Sequence, residues 1–271
     1  MSTKVNEKLG ALFSLENKVV LLTGAAGGIG SELAKGLAEV GANMCLCDFN
    51  LDGLKKVEAE IQSEGNLATS FEINMLEKDS IQACVNAIVE KFGRIDVLIN
   101  CAGINKRIGQ LDADEETFDR IIGVNLKGVF LLSQEVAKHM VKEKKGSIIN
   151  VASYNAVMML GGNGIYGASK SGVAALTRAQ AVEWAKHGIR SNALCPGHIS
   201  TPLTAPLWTD PERSKFMLDR IAMARPGTPQ DLLGMTILLA SDASSYMSGM
   251  LCHVDGGCLA GGQPWKYDTN Y

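Results

Sequence analysis

The chain has 271 residues, 46% apolar and 20% charged, with 26 Lys and Arg against 29 Asp and Glu, enough to bury a large core without disulfide or metal support. A net charge of −3 and a pI near 5.9 exclude the basic field that gathers nucleic acid or an anionic membrane surface. No apolar run approaches the ~20 residues of a membrane span, and residues 1–18 mix Lys4, Glu7, Lys8, Glu16 and Lys18 with isolated apolar positions, unlike a signal peptide.

The first predicted strand, 18–22, ends in Thr23-Gly24, and a helix follows over 31–40, with Leu33, Ala34, Leu37 and Ala38 at helical spacing before Gly41. The alternation continues with strand 43–47, helix 51–63, strand 68–73, helix 77–92 and strand 97–100. A long helix over 114–143 precedes strand 147–151, helix 166–187 and strand 190–194. A Pro-containing stretch, a helix over 229–239 and a strand near 250–254 close the pattern. Strands alternating with helices in this way predict an α/β fold: one doubly wound parallel sheet of Rossmann type, with helices on both faces, forming a single domain over 1–271.

The seven cysteines, 45, 47, 84, 101, 195, 252 and 258, are scattered and contain no C-x-x-C pair, which fits reduced thiols in a cytoplasmic protein. Cys45 and Cys47 share a strand face and read as core fillers rather than metal ligands. The histidines, 139, 187, 198 and 253, have no metal-ligand spacing, so no metal site is expected; His198 alone is a candidate for a pocket wall.

Thr23-Gly24-Ala25-Ala26-Gly27-Gly28-Ile29-Gly30 lies between the first strand and the first helix, where glycines let backbone approach a phosphate and a helix N-terminus offers free N–H groups. Asp48 ends the second strand 24 residues after Gly24. A carboxylate there accepts hydrogen bonds from adenosine ribose hydroxyls and repels a 2′-phosphate, and no Lys or Arg lies in the turn or beside Asp48. NAD is therefore expected as cofactor, with NADP as the alternative; the competing reading of Asp48 is a helix cap or turn residue.

The T-G-x-x-x-G-x-G spacing resembles the short-chain dehydrogenase/reductase family. Further matching pieces follow in order: Asn100-Cys101-Ala102-Gly103, Asn125 within Val124–Phe130, Ser153, Tyr166-Gly-Ala-Ser-Lys170, Pro196-Gly197-His198-Ile199-Ser200-Thr201 and Val254-Asp255-Gly256-Gly257. The resemblance covers about residues 15–260. It implies cofactor contacts at Gly24, Gly28, Ile29, Gly30, Asp48, Phe49, Asn74, Met75, Asn100, Ala102, Gly103, Tyr166, Lys170, Pro196, Gly197, Ile199 and Thr201. Lys170 is expected to hold the nicotinamide ribose, and Asn125 to help relay a proton through water to Lys170. Cys101 and Asn74 depart from the commonest pattern, where Asn and Asp stand.

Tyr166 and Lys170 are four apart, on one face of a helix. The ammonium and an oxidised nicotinamide are expected to lower the phenol's pKa, making Tyr166 the general acid/base, while Ser153 hydrogen-bonds the substrate oxygen. The alternatives are an exposed Tyr–Lys pair, a turn serine and an Asn125 bonded to nearby backbone.

For substrate, Arg107, Ser153, Asn155 and Tyr166 are the candidates; Arg107 offers a bidentate fork to a carboxylate, or else pairs with Asp112 or Asp114. Residues 103–107, 201–207 and 254–259 resemble the gluconate 5-dehydrogenase branch, and residues 183–187 and 218–221 are similar to 2-deoxygluconate 3-dehydrogenases. That implies oxidation of a sugar acid or polyol. An acyl-carrier or other carbonyl reductase, and a non-catalytic dinucleotide-binding regulator, are the competing functions. The resemblance also implies a homotetramer paired through the helices of Asn125 and Tyr166. Residues 201–225, rich in proline, read as a lid, and the tail 261–271 as a segment that folds on its own surface or reaches a neighbouring subunit.

Overall fold

The structure, a computed structural model, describes residues 3–263, with side chains from Glu7 onward. Seven strands, β1 (Val19–Thr23), β2 (Asn43–Asp48), β3 (Ala68–Glu72), β4 (Val97–Asn100), β5 (Gly146–Val151), β6 (Ile189–Pro196) and β7 (Leu251–Val254), form one parallel sheet in the order β3-β2-β1-β4-β5-β6-β7. Val20 of β1 stands beside Met44 of β2 and Val97 of β4. The winding thus reverses between β1 and β4, and the crevice beyond their carboxyl ends, at Thr23 and Asn100, is where sheets of this kind bind ligands.

Every residue of β1, β4 and β5 is buried, because helices cover both faces. Val20 and Leu22 point to one side, where α2 (Gly28–Glu39), α3 (Leu51–Ser63) and α10 (Pro229–Ala240) contribute Leu33, Leu37, Leu54, Leu232 and Leu239. Leu21 points to the other, against Ile81, Val85 and Ile88 of α4 (Lys78–Phe92) and Leu132 and Val136 of α6 (Val129–Glu143). Each such aliphatic side chain contributes roughly 1.5–3 kcal/mol by burial. Cys45 and Cys47 belong to this second layer, and the Cys47 Sγ lies 3.7 Å from Cys84 Sγ. Among the described residues no His, Cys, Asp and Glu grouping could hold a metal.

Four elements depart from the sequence reading. Residues 3–13, read above only for their lack of an apolar centre, form α1 (Thr3–Phe13). The expected long helix is α5 (Glu115–Ile122), capped by the Asp114 carboxylate on the Thr117 N–H at 2.7 Å, then a π-helical stretch, Gly123–Gly128, and then α6. Residues 201–225 contain α8 (Ala205–Thr209) and α9 (Pro211–Leu218), the second capped by Asp210. The helix expected over 166–187 is α7 (Gly164–Trp184), extended by a 3-10 turn, Ala185–His187. Of the tail, residues 264–271 lie outside the described residues.

Candidate active site

The glycine turn is built around Thr23 and Gly24. The Thr23 hydroxyl accepts hydrogen bonds from the Cys101 and Ala102 N–H groups, both at 3.2 Å, tying the end of β1 to the chain leaving β4. Gly24 takes φ +71°, and a Cβ there would stand 2.9 Å from the Ala102 backbone. A Cβ on Gly30 would lie 2.1 Å from the Gly24 carbonyl oxygen, so α2 can begin this close to the turn only on glycine. Gly27, the cap of α2, supplies no side-chain hydrogen bond, which leaves the first N–H groups of the helix free for an anion.

Asp48 sits beside this turn, 9% exposed. Its carboxylate accepts from the Ala26 N–H at 3.2 Å and the Asn50 N–H at 3.1 Å. It therefore braces the turn, as the competing reading held, while its remaining lone pairs stay at the crevice. The cap of α3 is Asn50, whose side chain accepts from Gly53 N–H. Phe49 is 77% exposed next to it. Asn74 spends its amide on a local turn, donating to Glu77 at 2.8 Å and accepting from Leu76 N–H at 3.1 Å. Met75 is buried, with its carbonyl packed where a Cβ on Gly128 would be.

Asn100 departs from expectation. Its side chain turns into the interior, donating to Ser133 Oγ at 2.9 Å and Asn150 Oδ1 at 2.8 Å. Asn150 in turn donates to Thr177 and Gln180. These bonds link β4, β5 and α7 and turn the Asn100 side chain away from the crevice, although Asn100 Oδ1 and Gln180 Nε2 find no partner among the described residues. Gly103 does line it: a Cβ there would lie 3.4 Å from Lys170 Nζ and 3.5 Å from Asn125 Oδ1. Ala102 stands between them against the turn.

Ser153, Tyr166, Lys170 and Asn125 come together here. Ser153 follows β5 and is buried, its hydroxyl accepts from Asn155 N–H at 3.1 Å, and it stands near enough to the Tyr166 phenol to favour the phenolate. Lys170 is 3% exposed; its ammonium donates to the Val151 carbonyl at 2.7 Å and lies 5.7 Å from the centre of the Tyr166 ring. Asn125, fully buried in the π-helical stretch, accepts from Ile104 N–H and donates to Ile104 C=O, both at 2.8 Å. Its amide also donates to Ser169 Oγ at 3.1 Å, and Ser169 donates to the Tyr166 carbonyl at 2.6 Å. Ser169, one residue before Lys170 in the Y-G-A-S-K run, carries no role in the sequence reading and gains this one through its contacts with Asn125 and Tyr166.

The electrostatics differ from the sequence expectation. In the protein alone burial raises the Tyr166 phenol above its ordinary value, opposed by the hydrogen bond from Ser153; Tyr166 still keeps part of its surface open to solvent. Burial lowers the Lys170 ammonium to about 8, opposed by the neighbouring Cys101 and Cys195 thiols. Burial also raises the Cys101 thiol to about 11.

Beyond these groups, Arg107 is exposed and, among the described residues, forms no ion pair, while Lys106 donates to Thr117 Oγ1 at 2.9 Å. Asn155 is buried and its amide donates to the Met158 carbonyl at 2.9 Å, a loop contact. Pro196 ends β6, and Gly197 follows with its N–H on the Val254 carbonyl at 3.0 Å; a Cβ on Gly197 would be 2.6 Å from Asp255 Cα. Ile199 bridges to Gly227, and Thr201 packs where a Cβ on Gly28 would come within 3.0 Å. Residues 199–204 thus run across the glycine turn.

These features fit a nicotinamide dinucleotide: uncapped helix N–H groups for its phosphates, a carboxylate beside the turn for a ribose, and space kept open by Gly103 next to Lys170. A family model described as enoyl-(acyl carrier protein) reductase matches residues 24–258. The chain is 40% identical over 251 residues to a 2-dehydro-3-deoxy-D-gluconate 5-dehydrogenase of Escherichia coli (strain K12), covering 92% of this chain and 98% of that one. It is 39% identical over 246 residues to a 3-oxoacyl-[acyl-carrier-protein] reductase of Thermotoga maritima, covering 90% and 99%. Among solved structures, a gluconate 5-dehydrogenase from Burkholderia cenocepacia in complex with NADP and tartrate superposes with a TM-score of 0.90 at 33% identity, over 93% of this chain and 99% of that chain. The chain belongs to the short-chain dehydrogenase/reductase family, nicotinamide-dependent oxidoreductases that act on alcohol and carbonyl groups.

Proposed function

We propose that the protein interconverts a secondary alcohol of a sugar acid or related polyol with its ketone, using NAD in preference to NADP. The observation that carries this reading is the meeting of the Ser153 hydroxyl, the Tyr166 phenol and the buried Lys170 at the space beside Gly103. When bound, the nicotinamide supplies or accepts the hydride. Tyr166 takes the carbinol proton in oxidation and returns one to the carbonyl oxygen in reduction, and Ser153 donates to that oxygen as charge grows on it. Asn125 and Lys170 flank the same space, so a water held between them would carry the proton onward. Asn125 is also a positioning residue, through Ile104 and Ser169.

The turn residues Gly24, Gly28, Ile29 and Gly30 hold the pyrophosphate, and Asp48 the adenosine ribose, with Phe49 beside the adenine and Ile199 and Thr201 by the carboxamide. The preference for NAD rests on Asp48, since the Burkholderia neighbour was solved with NADP. A substrate carboxylate is supported by the uncommitted Arg107 guanidinium and by the sugar-acid names of the relatives. A second reading, reduction of a 3-oxoacyl thioester, is supported by the Thermotoga relative. Aldonic acids, polyols and 3-oxoacyl thioesters assayed by cofactor absorbance, with NAD(H) and NADP(H) separately, distinguish these; turnover confined to the thioester would overturn the first.

Residues 201–225 act as the lid. A homotetramer is supported by an apolar groove between the π-helical stretch and α7, lined by Ile122, Leu126, Phe130, Ala175, Leu176 and Ala179. Light scattering on the purified protein measures that assembly. The seven free thiols support a cytoplasmic location.

A further inference from the structure

His198 and Trp208 each carry a buried nitrogen for which nothing among the described residues provides a partner: His198 Nε2 and Trp208 Nε1. His198 leaves β6 just after Gly197 and is 8% exposed. Its ring packs against Tyr154, 4.8 Å between centres, and meets the Trp208 ring edge-on at 6.2 Å. Tyr154 follows Ser153 directly, and its phenol feels the charges of Tyr166 and Arg107. Tyr154, His198 and Trp208 therefore form one packed row that starts next to Ser153, and Trp208 is brought to it by α8 of the proposed lid.

A buried donor or acceptor without a partner costs about 1–3 kcal/mol, and native structures rarely leave one on each of two rings in contact without a reason. The imidazole is neutral: burial lowers His198 to about 4, and the guanidinium groups of Arg107 and Arg220 push the same way, against Asp255. A neutral imidazole nitrogen is a donor or an acceptor according to tautomer, and the indole only donates. A hydroxyl serves both cases, accepting from Trp208 Nε1–H while donating to or accepting from His198 Nε2. A methylene serves neither.

We propose that His198 and Trp208 together bind one hydroxyl of a polyhydroxylated substrate, near the carbon that reacts, and so select hydroxylated chains over deoxy chains. The proposal rests on the cleft being the site of carbinol oxidation. A site built to hydrogen-bond a substrate hydroxyl rejects the analogue lacking it, because its own polar groups are then left unpaired on closure.

The test is kcat/KM for an aldonic acid and its monodeoxy analogues with wild type, His198→Phe, Trp208→Phe and His198→Gln, each checked by thermal melt. Wild type should lose about 10–100-fold on one analogue, the equivalent of one unpartnered buried polar group. In His198→Phe the parent substrate should fall to the level of that analogue, mainly through KM, and His198→Gln should recover part of the difference. An unchanged parent-to-deoxy ratio in both Phe variants, whatever their melting temperatures, overturns the proposal, as does a wild type indifferent to every deoxy position. If no aldonic acid is turned over, the sugar-acid reading fails and the same ratio is read on vicinal diols against the matching mono-alcohols. A preference for the diol that His198→Phe abolishes still supports the assignment, and its absence overturns it.

Discussion

Asn125 and Ile104 are joined twice, Asn125 Oδ1 accepting the Ile104 N–H and Asn125 Nδ2 donating to the Ile104 carbonyl, both at 2.8 Å. One side chain thus holds the loop that leaves β4 against the helix layer, next to Gly103 and Lys170. Asn125→Ala leaves both backbone groups of Ile104 without this partner, and stability should fall by about 2–4 kcal/mol, with kcat/KM reduced more than tenfold. Denaturant unfolding measures the first; an unchanged midpoint would show that the clamp is dispensable.

Tyr166→Phe removes the acid/base hydroxyl and keeps the ring. Turnover should drop by about 10²–10⁴, while cofactor affinity, followed by fluorescence titration with NADH, stays within a few-fold. Ser153→Ala should cost about 10²–10³ in kcat. Normal turnover in Tyr166→Phe would remove Tyr166 from the chemistry.

Lys170 ties stability to pH. Its ammonium falls from the ordinary 10.5 to about 8 on folding. Below about 8 both folded and unfolded chains hold the proton, and the cost of burying it is fully present. Between about 8 and 10.5 the unfolded chain binds a proton that the folded one has lost, so stability from this group rises with pH across that window, by up to about 3 kcal/mol. Comparing urea unfolding of wild type and Lys170→Met at the two ends of the window should show the extra rise in wild type only; parallel profiles would place the folded pKa elsewhere.

Asp48 sets cofactor choice in the proposed function. Asp48→Asn keeps the shape and one of the two acceptors that hold the Ala26 and Asn50 N–H groups, at a small cost in stability, and removes the charge facing a 2′-phosphate. The ratio of kcat/KM for NAD to that for NADP should fall at least tenfold. A wild type that already favours NADP would refute the role given to this carboxylate.

Gly103 keeps space open. A Cβ there meets only ordinary contacts, 3.4 Å from Lys170 Nζ and 3.5 Å from Asn125 Oδ1, so Gly103→Ala should fold with a melting temperature near that of wild type while KM for the cofactor rises several-fold. Gly30→Ala is the contrast, because its Cβ would sit 2.1 Å from the Gly24 carbonyl oxygen, and it should lose stability as well as binding.

Much of this was legible in the sequence for a local reason. Apolar runs ended by glycine, and helical spacing such as Leu33, Ala34, Leu37, report which backbone conformation buries them, so the alternation of strands and helices, the glycine turn after β1 and Asp48 at the end of β2 could be read from spacing, while the Tyr166–Lys170 pair gained its meaning from the family resemblance. Side-chain direction could not, because it depends on the partner the sheet brings. Asn100 stands in a motif at the crevice, yet its amide turns inward since Asn150 and Ser133 lie 50 and 33 residues away in sequence and adjacent in space. Asn125 is expected in the proton relay, but its clamp on Ile104 is visible only once the π-helical stretch brings the two together. The Tyr166 phenol, expected to be lowered by a charged neighbour and an oxidised nicotinamide, is raised in the protein alone because burial outweighs the Ser153 hydroxyl. The pairing of His198 with Trp208 across the proposed lid likewise exists only after folding, when burial decides which polar groups lose water and which of them are left to find a partner.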